Sequence, residues 1–173
     1  MNLSPPPFSE PVRLNQIGAG LTRVLTPDEA ARGRIAASLD LIELPQFTAE
    51  VVLAPTATGW RLSGRLAARA VQRCGVTLEP LPVDVDETFV VDLIEPDPRA
   101  PVEVEVTLDE DGPDTVENGV VDLGGYAVEH LALALDPFPR KPGAVFEPPE
   151  STREESPFAV LKRFGAGEPS DES

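Results

Sequence analysis

The chain has 173 residues, 20 prolines, 13 glycines, one cysteine and a formal net charge of −16, enough length to bury a core without a stapling disulfide or metal, and a lone thiol that cannot form an intramolecular disulfide. No apolar run approaches the roughly 18 residues a membrane-spanning helix needs, and no basic-then-apolar leader opens the chain, so the expectation is a soluble cytoplasmic protein. A charge this negative excludes a general nucleic-acid binder, because phosphate neutralisation supplies most of such affinity.

The charge is uneven. Residues 1–78 carry eight arginines against six acids, whereas residues 79–122 carry fifteen acids against Arg99 alone. Residues 1–10, rich in proline, read as a flexible N-terminus. Residues 11–146 read as one domain, and residues 147–173 as a disordered acidic tail. Within that tail, Ser156, Pro157 and Gly165 frame a short amphipathic segment at 156–164.

Pro11 to Ile17, with Val12, Leu14 and Gln16 on one face, predicts a first strand, and Gly18 and Gly20 bracket a turn. Thr26-Pro27-Asp28-Glu29 predicts a helix start with Thr26 as the cap, running to about Leu39. Thr48 to Ala54 predicts a strand, and Pro55 to Gly59 a turn. From Trp60 to Cys74 apolar and polar residues alternate with period two, which favours a long strand over a helix. Gly64 within it suggests a bulge or bend. Leu81 to Leu93 alternates again, with Val83, Val85, Phe89, Val91 and Leu93 inward and Asp84, Asp86 and Asp92 outward. Val102 to Leu108 gives the cleanest alternation, one apolar and one acidic face. A short strand at Val120-Val121 precedes a second helix over about Gly125 to Leu135, stopped by Asp136-Pro137. The fold class is α+β: a twisted antiparallel sheet of about five to six strands, open or curled toward a barrel, with two packing helices.

Few residues suggest chemistry. His130 is the only histidine and Cys74 the only thiol; the first reads as helix surface and the second as a buried structural cysteine. The run Asp109 to Asp114 lacks the spacing of a calcium loop, and no phosphate-binding glycine motif occurs. The expectation is no enzyme, no metal and no cofactor. Arg61, Arg65, Arg69 and Arg73 share one face of the long strand, spanning about 13 Å at about 3.3 Å per residue. They could touch successive phosphates of an RNA. Equally, Asp84, Asp86, Asp92, Glu103 and Glu105 could lie opposite them as cross-strand ion pairs.

Two phrases stand out: Arg73-Cys74-Gly75 with Leu78-Glu79-Pro80, and Asp122-Leu123 with Glu129 to Pro139. With Ser156 to Leu161 in the tail, their order and spacing resemble the YceD family, the large ribosomal RNA subunit accumulation proteins. Asp136 to Gly143 resembles the alphaproteobacterial members. The resemblance implies a part in large ribosomal subunit biogenesis, supporting accumulation or processing of large-subunit (23S) rRNA, and it carries no catalytic residues. Many members have Cys-x-x-Cys in the strand phrase and a further cysteine after the second helix. Here Val71 stands at the first position and Pro142 to Val145 has no cysteine, so any such metal site is lost.

Two modes follow. In one, Arg61, Arg65, Arg69 and Arg73 contact large-subunit rRNA or its precursor. In the other, an acidic adaptor binds a basic ribosomal protein through Asp84, Asp86, Glu103 and Glu105, with Phe158 and Leu161 as a docking peptide. Neither mode involves a membrane or a small-molecule substrate.

Overall fold

A computed structural model describes residues 5–95 and 112–145. The elements are β1 (Pro11–Arg13), β2 (Leu21–Leu25), α1 (Glu29–Ser38), β3 (Glu43–Pro55), β4 (Trp60–Arg73), β5 (Pro80–Ile94), β6 (Asp114–Thr115), β7 (Val120–Asp122) and α2 (Leu123–Ala134). The fold is α+β. Its main sheet runs β2-β3-β4-β5-β6, and β1 pairs separately with β7. The sheet is open rather than barrel-like. It is mixed rather than purely antiparallel, because the two residues of β6 run parallel to the end of β5. Among the described residues, no helix is long and apolar enough to cross a membrane.

β3, β4 and β5 form the body of the sheet. Each alternates buried with exposed positions, as a sheet with one face on the core requires. Phe47, Ala49, Val51 and Leu53 of β3 are buried, as are Leu62, Leu66, Ala68 and Ala70 of β4. Phe89 and Leu93 continue that face onto β5. They form one core with Ile35 of α1 and Leu123, Ala127 and Leu131 of α2. Each fully buried leucine contributes roughly 1.5–3 kcal/mol. The helical alternative for residues 60–73 is thereby excluded: β4 pairs without interruption along both neighbours from Trp60 to Ala68.

The predicted first strand stops at Arg13, where the chain tightens into a 3₁₀ turn at Leu14–Gln16 that buries Leu14. β2 was not expected. β3 begins at Glu43, five residues earlier than the pattern suggests, and its pairing with β4 shifts between Glu43 and Gln46. Pro45 lies in that irregularity, where its missing N–H interrupts no ladder bond. The cap of α1 is Asp28 rather than Thr26: the Asp28 carboxylate accepts from the Ala31 N–H at 2.7 Å. Aspartate is the stronger capping residue, and Pro27 then sits just outside the helix.

Gly64 is no bulge. Its register is continuous, with Val51 on one side and Phe89 on the other. The missing side chain is space for a ring: a Cβ built on Gly64 would lie 2.4 Å from Phe89 Cζ. The same ring stacks on His130 of α2, with centroids 4.0 Å apart. His130 is therefore a packing residue at the joint of helix and sheet.

α2 is anchored by Asp122, whose Oδ1 accepts from the N–H groups of Gly124 (3.1 Å), Gly125 (3.2 Å) and Glu10 (2.7 Å). The N-terminal segment crosses α2 at Gly124, where an added Cβ would meet Glu10 N at 2.9 Å. One carboxylate thus caps the helix and clasps the start of the chain to it.

Candidate functional site at the sheet face and the Cys74 loop pair

The exposed face of β4 and β5 carries the arginines and aspartates singled out in the sequence. Register brings them together. Arg61 faces Asp92 and Arg69 faces Asp84 directly, while Arg65 faces Thr88 and reaches diagonally to Asp86. Arg61 binds Asp92 in a two-pronged geometry, Nε to Oδ1 at 2.7 Å and Nη2 to Oδ2 at 3.0 Å. Arg65 grips Asp86 in the same way, at 2.8 and 2.6 Å. Arg69 Nε donates to Asp84 Oδ1 at 3.0 Å. Hydrogen bonding to these guanidinium groups holds the Asp86 and Asp92 carboxyls below their ordinary range, with Coulomb attraction in the same sense and desolvation opposing. The pairs stay solvent-exposed, so they contribute little stability.

The RNA stripe and half of the acidic site are therefore one patch, cancelled from within. Arg73 faces Pro80 and makes no ion pair among the described residues. Glu103, Glu105, Phe158 and Leu161, together with the expected strand Val102–Leu108, lie outside the described residues.

The second feature is where the two distinctive phrases meet. After β4 the chain folds back on itself: Cys74 N–H donates to Glu79 O and Leu78 N–H to Cys74 O, both at 2.9 Å. Leu78 adopts a left-handed φ of 62°, an unfavourable conformation for a residue with a branched side chain. After α2, Asp136 Oδ1 accepts from Phe138 N–H at 2.8 Å and sets the turn at Pro137. The two loops then dock. Gln72 Nε2 donates to Asp136 O at 2.9 Å. Gly75 N–H donates to Pro139 O at 2.8 Å. Lys141 Nζ reaches Glu79 Oε2 at 3.0 Å.

Cys74 lies at the centre of this junction, fully buried. Its sulfur accepts from the Thr77 N–H at 3.5 Å and the Lys141 N–H at 3.4 Å. These donors stabilise the thiolate: hydrogen bonding from Thr77 leads, the N–H groups of Lys141 and Val76 add to it, and removal from water opposes it, leaving the thiol lowered to about 6. Cys74 ties the two loops as a hydrogen-bond acceptor, and His130, the one histidine, packs on Phe89 elsewhere. Among the described residues, no group of three His, Cys, Asp or Glu is placed to hold a metal ion.

Beside Cys74 opens a groove of about 490 Å³, lined by Leu39, Gln72, Val76, Leu78, Leu135 and Phe138, with Arg73 and Arg140 also on its wall. Leu78 and Phe138 are 64 % and 77 % exposed. Gln72 is 8 % exposed, and its Oε1 is buried with no hydrogen-bond partner. Sequence reading missed this groove. Its one available signal was Gln72, a polar residue on the apolar face of β4.

A second cavity lies between α2 and the end of β5, where Tyr126 donates its hydroxyl to Asp114 Oδ2 at 3.0 Å. Burial, then the Asp114 carboxylate, holds the tyrosine hydroxyl well above its usual range.

Fold and site together define an open-sheet α+β protein with a face of cross-strand ion pairs and a largely apolar groove bordered by charges of both signs. No family model, curated protein or solved structure matches the chain.

Proposed function

We propose that this chain is a non-enzymatic factor of large ribosomal subunit biogenesis in the bacterial cytoplasm. It supports accumulation or processing of 23S rRNA by holding a basic ribosomal protein, rather than by laying an arginine stripe along RNA. The ribosomal assignment rests on the resemblance to the YceD family. The phrases that carry it, fifty residues apart, meet at Cys74.

The adaptor mode is carried by the ion pairing of the sheet face. To use Arg61, Arg65 and Arg69, an RNA would have to displace three carboxylates that already satisfy them. Doing so would strand acidic charge beside phosphate and forfeit much of the counter-ion release that drives RNA binding. A net charge of −16 repels RNA at long range and draws in a basic protein, with fast and salt-sensitive association.

The test is in-cell crosslinking of a tagged copy, with identification of both bound RNA and bound protein. The expected result is enrichment of a basic ribosomal protein without a localised rRNA crosslink. A localised crosslink to large-subunit rRNA precursor that vanishes with Arg65→Glu and Arg69→Glu would overturn the adaptor mode and return the site to the arginine face.

A further inference from the structure

The Cys74 groove presents an apolar surface to solvent. Leu78 and Phe138 present large apolar side chains to solvent. Leu78 does so from a left-handed backbone held by its bond to Cys74 O. Gln72 cannot turn its amide to rescue the orphan oxygen, because Nε2 is already committed to Asp136 O. A buried carbonyl without a donor is costly, roughly 1–3 kcal/mol. Arg73 and Arg140 on the groove wall make no ion pair among the described residues, and Asp40 and Asp136 line the same groove, so charges of both signs border it. The groove therefore fits a short peptide with apolar side chains.

The chain carries such a segment close by. Lys141, bonded to Cys74, is four residues from Val145, where the described residues end. Beyond it the sequence is largely acidic and proline-rich, and the apolar run Phe158-Ala159-Val160-Leu161 stands between Arg153-Glu154-Glu155 and Lys162-Arg163. Twelve residues separate Val145 from Phe158, a reach of up to about 45 Å at 3.3–3.6 Å per residue. A tether of this length gives an effective concentration in the millimolar range, so even a weak contact would be occupied in cis.

We propose that the Phe158 to Leu161 segment docks into the Cys74 groove of its own chain. In the docked state Phe158 and Leu161 pack on Leu78 and Phe138. This inference is independent of the ribosomal reading.

The experiment uses the full chain with photoreactive benzoylphenylalanine at position 158, irradiated at low micromolar concentration and mapped by mass spectrometry. The expected product is an intramolecular crosslink to residues 72–78 or 135–140, lost when Leu78→Asp and Phe138→Asp are introduced together. Both positions are exposed, and circular dichroism checks that the fold is kept. Crosslinks formed only between copies, or scattered away from the groove, would overturn the proposal. Hydrogen exchange supplies the second readout: Phe158→Asp with Leu161→Asp should raise exchange at residues 75–78 and 138–141 of the full chain. Unchanged exchange there would refute docking.

Discussion

Replacing Gly64 with alanine tests the packing between sheet and helix. The added Cβ would lie 2.4 Å from Phe89 Cζ, 2.6 Å from Phe89 Cε1 and 3.1 Å from Val51 Cγ1, where carbon atoms settle at about 3.5–4.0 Å. The ring must retreat by about 1 Å, but it is held in a near-parallel stack on His130. Overpacking of this kind costs about 1–3 kcal/mol. Relieving glycine's backbone entropy in a strand returns roughly 0.5–1 kcal/mol. The net expectation is a loss of about 1–2 kcal/mol, read as a lower urea midpoint at unchanged slope and a Tm lower by roughly 2–8 °C. The control is Phe89→Ala, which at a buried ring costs about 3–5 kcal/mol by itself. In that background Gly64→Ala should be neutral or stabilising, giving a coupling of about 1–3 kcal/mol. A stabilising Gly64→Ala in the native background, or an equal cost in both, would refute the idea that Gly64 exists to seat the Phe89 ring.

Asp122→Ala should cost about 2 kcal/mol, the upper end for a cap, because the carboxylate also holds Glu10 N–H; Asp28→Ala should cost about 1 kcal/mol, and equal effects in urea titrations would contradict the clasp. The thiol of Cys74, lowered from 9.0 to about 6 in the folded chain, stabilises the fold fully above pH 9 and loses that contribution as pH falls to about 6. Stability should therefore rise with pH across this window and do so less steeply in Cys74→Ser; identical slopes would disprove the thiolate. Changing Asp84, Asp86 and Asp92 together to asparagine should leave the urea midpoint nearly unmoved, since these pairs are exposed and screened. The same variant should bind heparin more tightly through the released arginines; a large loss of stability, or unchanged heparin retention, would contradict the ladder as described.

Strong periodicity made much of the fold legible. β4 announced itself by fourteen residues of alternation, and Asp136-Pro137 marked the end of α2. β2 was hidden because only Leu25 of its five residues is fully buried, so no alternating pattern marks it. β6 has two residues and no pattern at all. At the candidate site the charged residues were plain, but their cancellation depends on register, and Arg65 reaches Asp86 only along a diagonal. The environment of Cys74 was invisible because one of its donors, Lys141, is 67 residues away. The groove is likewise made by two distant loops, and only Gln72 betrayed it.

The clasp at Asp122 bears on how the chain matures as it is made. β3, β4 and β5 are successive antiparallel strands, and such local hairpins form early. Glu10, by contrast, binds a carboxylate 112 residues downstream, and Pro11–Arg13 pair with Val120–Asp122. During synthesis from the N-terminus, Glu10 and β1 wait for these partners until nearly all of the folded part has emerged, although Arg34 of α1 can already hold Pro7 O. Closure of that long loop, not formation of the sheet, marks the moment at which α2 caps the core and the molecule is complete.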